Sequence, residues 1–230
     1  MSYTVSVLWS ALIFTFLGVW LGSVPAIARR LSSLNGGLLI GIATFWILPD
    51  VAANSNWSTA LAWLTGGFAL LFAVDRYLEP VCSTCTHAVS TVLLLAAAAH
   101  CFLDGWLIQA SLVAGQKQMS AGIIAGIVLH KIPEGLALGV MLQSALKSNR
   151  KAMLASAGFQ LVTWVGIVAE GYASPWIAPS LVQGLLALTG GGFLFLGYHA
   201  VHRAAPVFGP AFAGALGAAL VGQGLRLFAR

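Results

Sequence analysis

The sequence predicts an all-helical integral membrane protein with eight membrane-spanning helices. Hydrophobic residues make up 59% of the 230-residue chain and charged residues only 7%, whereas soluble domains contain about 25% charged residues. The apolar residues fall into eight runs, and about 20 mostly apolar residues suffice for a helix to cross a bilayer. Basic residues are concentrated in alternate connections between those runs, which is typical of chains that are oriented in a membrane.

The eight predicted spans follow in chain order, with boundaries given to within a few residues. They cover about residues 5–28, 36–53, 57–74, 89–114, 121–146, 153–172, 181–201 and 207–228. The first has no basic segment before it, which favours a span over a cleaved signal peptide. The polar turn 54–56 separates the second span from the third, and residues 115–118 separate the fourth from the fifth. Charged residues follow the first, third, fifth and seventh spans.

The charge distribution predicts the orientation of these spans. If the N-terminus lies outside, the inner segments contain Arg29, Arg30, Arg76, Lys147, Arg150, Lys151 and Arg203. The outer segments contain Lys117, Arg226 and Arg230. This bias places both termini on the extracytoplasmic side, in what we expect to be the plasma (inner) membrane. The net charge of +5 does not indicate a nucleic-acid partner, because no basic stripe interleaves with aromatic residues.

Two matched motifs lie thirty residues apart, in the fourth and fifth predicted spans. They are residues 100–105 (HCFLDG) and 130–135 (HKIPEG). Each has a histidine and, four residues later, a carboxylate, and side chains at this spacing share one face of a helix. Ionisable residues inside a membrane are costly and usually functional. If the two helices are neighbours, four metal-ligating side chains converge: His100, Asp104, His130 and Glu134.

This donor set predicts the kind of ion that the site binds. Imidazole together with carboxylate suits zinc, iron or manganese, whereas magnesium and calcium prefer oxygen ligands alone. Ionised Asp104 and Glu134 carry a formal charge of −2, which one divalent ion neutralises. We therefore expect Zn²⁺ as the substrate, with Fe²⁺, Mn²⁺ and Cd²⁺ as further candidates.

The two motifs resemble those of the ZIP family of divalent metal transporters. Residues 130–135 are similar to the fifth-helix motif of that family, and residues 100–111 to its fourth-helix motif, at a similar offset. Residues 41–50 resemble its second helix, which ends in Leu-Pro and an acidic residue. The resemblance implies one transporter domain over residues 1–230, with eight helices arranged as three, two and three. It also implies a metal path between helices two, four, five and seven, and a homodimer.

The sequence departs from the family pattern directly after each motif histidine. Many family members bind a second metal with these residues, which are Cys101 and Lys131 here. The Lys131 ammonium is not a ligand unless burial deprotonates it; its charge would repel a second cation and could take that cation's place. We therefore predict a single metal site, with Cys101 and Lys131 as second-site or gating residues. Trp46 stands near a position where the family often has a histidine.

A C-x-x-C pattern in the predicted inner loop is a second candidate for metal binding. Cys82, Cys85 and His87 are one ligand short of a complete zinc site. Transient metal capture and ordinary loop thiols both remain open.

Four residues outside the motifs are candidates for the ends of a metal path. His199 and His202 share a face at the inner end of the seventh span, where the resemblance implies exit-side ligands; an interfacial, solvated pair is the alternative. Asp50 and Glu170 lie near the outer ends of their spans. Either carboxylate could attract cations to the outer opening, although exposed interfacial carboxylates need no function.

Taken together, the sequence predicts a transporter, not an enzyme, that moves a divalent metal toward the cytoplasm through one midmembrane site. Four alternatives remain open. The polar residues could only join helices, or the site could serve a non-transporting metal sensor, an intramembrane metalloenzyme or a channel-like conduit. A sensor predicts metal affinity without flux. A metalloenzyme predicts turnover that is lost when Glu134 is changed.

Overall fold

The computed structural model describes an all-helical chain. It covers the backbone of residues 2–77, 91–113, 117–173, 176, 179–203 and 208–228. Side chains are described for residues 7–77, 94–95, 97–110, 131–132, 134–173, 176, 180–181, 183–202 and 208–224. Within these residues there is no strand, which confirms the predicted all-helical class. The helices are α1 (Ser2–Gly22), α2 (Pro25–Asn54), α3 (Trp57–Tyr77), α4 (Thr91–Val113), α5 (Lys117–Leu146), α6 (Asn149–Ala173), α7 (Pro179–Arg203) and α8 (Phe208–Phe228).

Four of the described helices are long and apolar enough to cross a membrane. These segments are Pro25–Asn54, Trp57–Tyr77, Asn149–Ala173 and Gln183–His202. Two shorter apolar segments, Val7–Gly22 and Glu134–Leu146, lie in α1 and α5. Large apolar side chains on the helices are exposed, for example Trp20 and Leu161 at 64% each. Helices of this length and composition are typical of membrane proteins, in which acyl chains cover such side chains.

The connection between the first two helices is shorter than predicted. Helix α1 ends at Gly22 and α2 begins at Pro25, so the exposed residues Arg29 and Arg30 lie in the first turns of α2 and not in a loop. Proline suits the first turn of a helix, because the N–H that it lacks would have no partner within the helix there. The two arginine side chains are therefore exposed near the N-terminal end of α2.

Helix α2 contains one π-helical turn, Ala43–Ile47, in which the Leu48 N–H donates to the Ala43 carbonyl. Pro49 follows this turn directly. A proline ring clashes with the carbonyl four residues earlier in a regular α-helix, and a wider turn relieves that clash. The indole Nε1–H of Trp46 donates to the Ala218 carbonyl over 2.6 Å, which attaches the wide turn to α8.

The chain forms two compact units, each built from segments distant in sequence. Unit 1 comprises Met1–Ala28, Ala97–Ala178 and Gly224–Arg230. In its described part, α1 packs against α5 and α6, and α5 packs against α6. The contact between α1 and α5 is a close backbone approach, because a side chain at Gly139 would overlap the Thr15 carbonyl oxygen.

Unit 2 comprises Arg29–Ala96 and Pro179–Gln223. Helices α3 and α7 approach closely, since a side chain at Gly67 would overlap the Leu188 carbonyl oxygen and one at Gly191 would overlap that of Leu64. The buried core of the unit brings together α2, α7 and α8 through Leu39, Ile42, Ala43, Phe193 and Ala218.

Candidate metal centre

Three of the four predicted ligands lie together in unit 1. His100 and Asp104 come from α4 and Glu134 from α5, and one ligand atom from each lies within 4.8 Å of the others. His100 Nε2 is 3.2 Å from Asp104 Oδ2 and 3.4 Å from Glu134 Oε2. Two ligands on one zinc ion, with bonds near 2.0–2.2 Å, stand at most about 4.4 Å apart. The two distances from His100 Nε2 are therefore short enough for ligands of a single ion.

The helical spacing of the first motif places its two ligands on one face of α4. His100 and Asp104 are four residues apart and one turn apart in the helix, as the i, i+4 rule requires. Asp104 is 3% exposed and His100 8%, while the Glu134 side chain is 12% exposed. The three groups therefore form a nearly enclosed site, in which carboxylates are costly unless they are paired or bind a cation.

The glycine that ends each motif is a helix-packing residue. A side chain at Gly105 would overlap the Thr163 carbonyl oxygen of α6. A Cβ at Gly135 would stand 3.0 Å from the Thr15 backbone nitrogen and 3.1 Å from the Ala11 carbonyl oxygen of α1. Both glycines follow directly after a site carboxylate. Close packing of α4 against α6 therefore helps to position Asp104, and close packing of α5 against α1 helps to position Glu134.

Lys131 shares this site. Its side chain is 1% exposed, and its Nζ lies 2.5 Å from Asp104 Oδ2 and 2.7 Å from Glu134 Oε2. Nζ also donates to Glu134 Oε1 over 2.9 Å. One ammonium and two carboxylates give these three groups a formal charge of −1. Lys131 is thus in direct contact with the predicted ligands.

Cys101 also lies beside the ligands. It is fully buried, and its thiol donates to Glu134 Oε1 over 3.3 Å. Both residues that directly follow the motif histidines, Cys101 and Lys131, therefore contact Glu134.

The fourth predicted ligand, His130, lies in α5, but its side chain is outside the described residues. The same holds for the Pro133 side chain, although the α5 backbone continues through this position as a helix. Residues Cys82, Cys85 and His87 also lie outside the described part of the chain. Participation of His130 in the site, and metal capture by the cysteine pattern, stay predictions.

The two histidines of α7 lie in unit 2. His199 is half-buried, with its ring 5.2 Å from that of Phe195, and exposed His202 stacks on Tyr198 at 5.6 Å. In the described residues, neither histidine belongs to a cluster of three or more possible metal ligands.

The two carboxylates predicted near the outer ends differ in their surroundings. Asp50 is exposed near the end of α2, as expected for a residue at an interface. Glu170 is only 3% exposed on α6, so it is not the exposed interfacial carboxylate that the sequence allowed as an alternative.

A buried polar face on α6 was not identified from the sequence. Ser156, Gln160, Thr163 and Glu170 are all buried, and Gly166 on the same face packs against the Phe102 carbonyl of α4. Neither polar atom of the Gln160 side chain has a hydrogen-bond partner among the residues that the structure describes. Polar residues at intervals of three, four and seven in an apolar helix were the signal that could have revealed this face.

Comparison with protein-family models and with curated proteins finds no match to the chain. The resemblance to the ZIP family therefore rests on the residues of the motifs. The geometry itself defines a buried cluster of one imidazole and two carboxylates, a donor set that could hold zinc, iron or manganese.

Proposed function

We propose that this protein is a membrane carrier that moves a divalent transition metal toward the cytoplasm, with Zn²⁺ as the first candidate. The single observation that carries the proposal is the buried cluster of His100, Asp104 and Glu134. The resemblance of the two motifs to the ZIP family points to the same function. Fe²⁺, Mn²⁺ and Cd²⁺ suit the same donors.

In this proposal all eight helices cross the membrane, arranged as three, two and three, with both termini outside the cytoplasm. The four helices of sufficient length and apolar composition support it, as does the bias of basic residues. We expect the plasma (inner) membrane as the location. We also expect a homodimer as the assembly, which is an implication of the resemblance.

His130 completes the proposed site as a fourth ligand, one helical turn before Glu134 in α5. Two histidines and two carboxylates give the four donors that zinc commonly takes. The described ligands all lie within unit 1, so the site stays intact in any motion that keeps this unit compact. A carrier needs this property, because the ion must remain bound while access changes from one side of the membrane to the other.

The charge of the cluster favours binding of a cation. The Lys131 ammonium balances only one of the two carboxylates, and a buried negative charge is costly in a membrane, so a divalent cation stabilises the site while it is bound. A non-transporting sensor would have the same site, so metal binding alone does not distinguish a carrier from a sensor. Measured flux of the metal across the membrane distinguishes them.

The deciding experiment measures zinc flux into proteoliposomes that contain a zinc-sensitive dye. We expect flux with the native protein and none with Asp104→Asn, which removes a ligand charge while preserving shape. The matched control is Asp75→Asn in α3, a half-buried aspartate outside the motifs, which retains flux. Zinc binding without flux, across several metals and membrane potentials, would replace the carrier by a sensor. Turnover of a lipid or peptide that is lost in Glu134→Gln would indicate a metalloenzyme.

A further inference from the structure

Lys131 holds the carboxylates that the proposed metal site needs. Its Nζ lies 2.5 Å from Asp104 Oδ2 and 2.7 Å from Glu134 Oε2, and it also donates to Glu134 Oε1. A zinc ion bonds to carboxylate oxygens at about 2.0–2.2 Å. An ion that bound both of these oxygens would stand close to Nζ, so the ion and the ammonium compete for the same two carboxylates.

We propose that the Lys131 ammonium is a tethered competitor of the metal. The metal binds by displacing Nζ from Asp104 and Glu134, and Nζ returns to the same carboxylates as the metal leaves. This inference rests on the proposed function, because it assigns a regulatory role to Lys131 within the proposed site.

Charge determines which cations can displace the ammonium. A monovalent ion brings no more charge to the two carboxylates than Nζ does, and Nζ is already attached to the same helix as Glu134. A tethered group acts at a high effective concentration. A divalent ion doubles the attraction to both carboxylates, so it can win the exchange where Na⁺ or K⁺ cannot. The tethered charge thereby sets a threshold that excludes monovalent cations.

The same competition limits how tightly the metal is held. Without it, a divalent ion between two buried carboxylates and a histidine would bind strongly and leave slowly. The lysine side chain is a flexible four-carbon stem, so Nζ can move by a few ångströms without movement of the α5 backbone. Its return to Asp104 and Glu134 lowers the free energy of the released site, which favours metal release.

A purely structural ion pair makes the opposite prediction. If Lys131 only supported the positions of Asp104 and Glu134, its removal would disorder the ligands and weaken metal binding. If Lys131 competes with the metal, its removal strengthens binding. The sign of the change in affinity therefore separates the two roles.

The test is a zinc titration of the purified full chain against a chelating dye, at fixed pH and ionic strength. We expect Lys131→Met to bind Zn²⁺ at least about tenfold more tightly than the native protein, because the ion no longer has to displace a positive charge from the two carboxylates. Lys131→Arg, which keeps the charge, binds no more tightly than the native protein. Lys151→Met removes an exposed lysine of α6 and leaves the affinity unchanged.

The outcomes separate this inference from the proposed function. If the native protein binds zinc and Lys131→Met binds it equally or more weakly, the competitor role is wrong and the carrier proposal stands. If Lys131→Met binds zinc and the native protein does not, the competitor role is supported and the carrier proposal fails. If neither binds zinc, both fail.

A second variant protects the test against misfolding. Lys131→Gln has an amide that can still donate to the two carboxylates, so it retains hydrogen bonds at this position while removing the charge. It must also bind zinc more tightly than the native protein. The zinc affinity of this variant must further fall as Na⁺ replaces a bulky organic cation at constant ionic strength, whereas that of the native protein does not. Absence of either effect overturns the inference.

Discussion

His100 on α4 and Glu134 on α5 face each other across 3.4 Å, measured from Nε2 to Oε2. The pair joins the two motifs of the sequence in space. Asp104 lies beside His100 on α4, and Lys131 lies beside Glu134 on α5. The contact between the two helices therefore brings four polar side chains into one buried site, namely His100, Asp104, Lys131 and Glu134.

Asp104→Asn should weaken zinc binding by about a hundredfold or more. Loss of a partner that only orients a metal ligand costs about 10–100-fold in metal affinity, and Asp104 is proposed to contact the ion itself. The change is measured by calorimetric titration of the purified protein. Asp75→Asn serves as the control and keeps native affinity. Unchanged affinity in Asp104→Asn would remove this residue from the site.

His130→Ala should also weaken zinc binding, although its side chain lies outside the described residues. The prediction follows from its position four residues before Glu134 in one continuous helix, since side chains at this spacing share a face. The matched control is His202→Ala, in which an exposed histidine that stacks on Tyr198 is removed. We expect native equilibrium affinity in the control. Equal effects of the two substitutions would show that His130 has no special role.

Gly105→Ala should destabilise the protein by about 1–3 kcal/mol, the usual cost of overpacking, and should also weaken zinc binding. The added methyl group would overlap the Thr163 carbonyl oxygen, which moves α4 away from α6 directly beside Asp104. Thermal unfolding and zinc titration measure the two effects. Gly158→Ala in α6 is the control, since nothing lies within 4 Å of a Cβ there. A native-like Tm for Gly105→Ala would contradict the proposed packing.

Trp46→Phe should lower stability by about 0.5–1.5 kcal/mol, the typical net value of one hydrogen bond. The substitution removes the donor to the Ala218 carbonyl but keeps an aromatic ring beside Gly222. Zinc affinity should remain native, because Trp46 and Ala218 belong to unit 2 and the described ligands to unit 1. Thermal unfolding with and without zinc measures both quantities. A changed affinity would show coupling between the π-helical turn and the site.

The candidate ligands were predictable from the sequence because helical periodicity is local. Once α4 is a helix, His100 and Asp104 must share a face, and the matched second motif indicated α5 as the neighbouring helix. The role of the motif glycines was not predictable, because the close approach of Gly105 to Thr163 depends on how α4 and α6 pack.

One of the two ion pairs of Lys131 could have been predicted from the sequence. Lys131 and Glu134 are three residues apart, a spacing at which opposite charges pair on a helix, and the structure shows this pair. Its second contact, with Asp104 of α4, could not be predicted, because it depends on the register between two helices. The burial of Glu170 was missed for a similar reason, since proximity to a helix end does not determine exposure.

The packing of α1 against α5 has a consequence for biosynthesis. Helix α1 is complete at Gly22, whereas α5 begins only at Lys117. A ribosome adds roughly 5–20 residues per second, so α1 leaves it several seconds before the helix that covers its glycine-lined face. Unit 1 therefore cannot complete its packing until α5 has been made, and α1 is without this partner in the interval. Substitutions at Gly18 or Gly139, where a side chain would overlap a carbonyl oxygen of the other helix, should therefore reduce the yield of folded protein in cells.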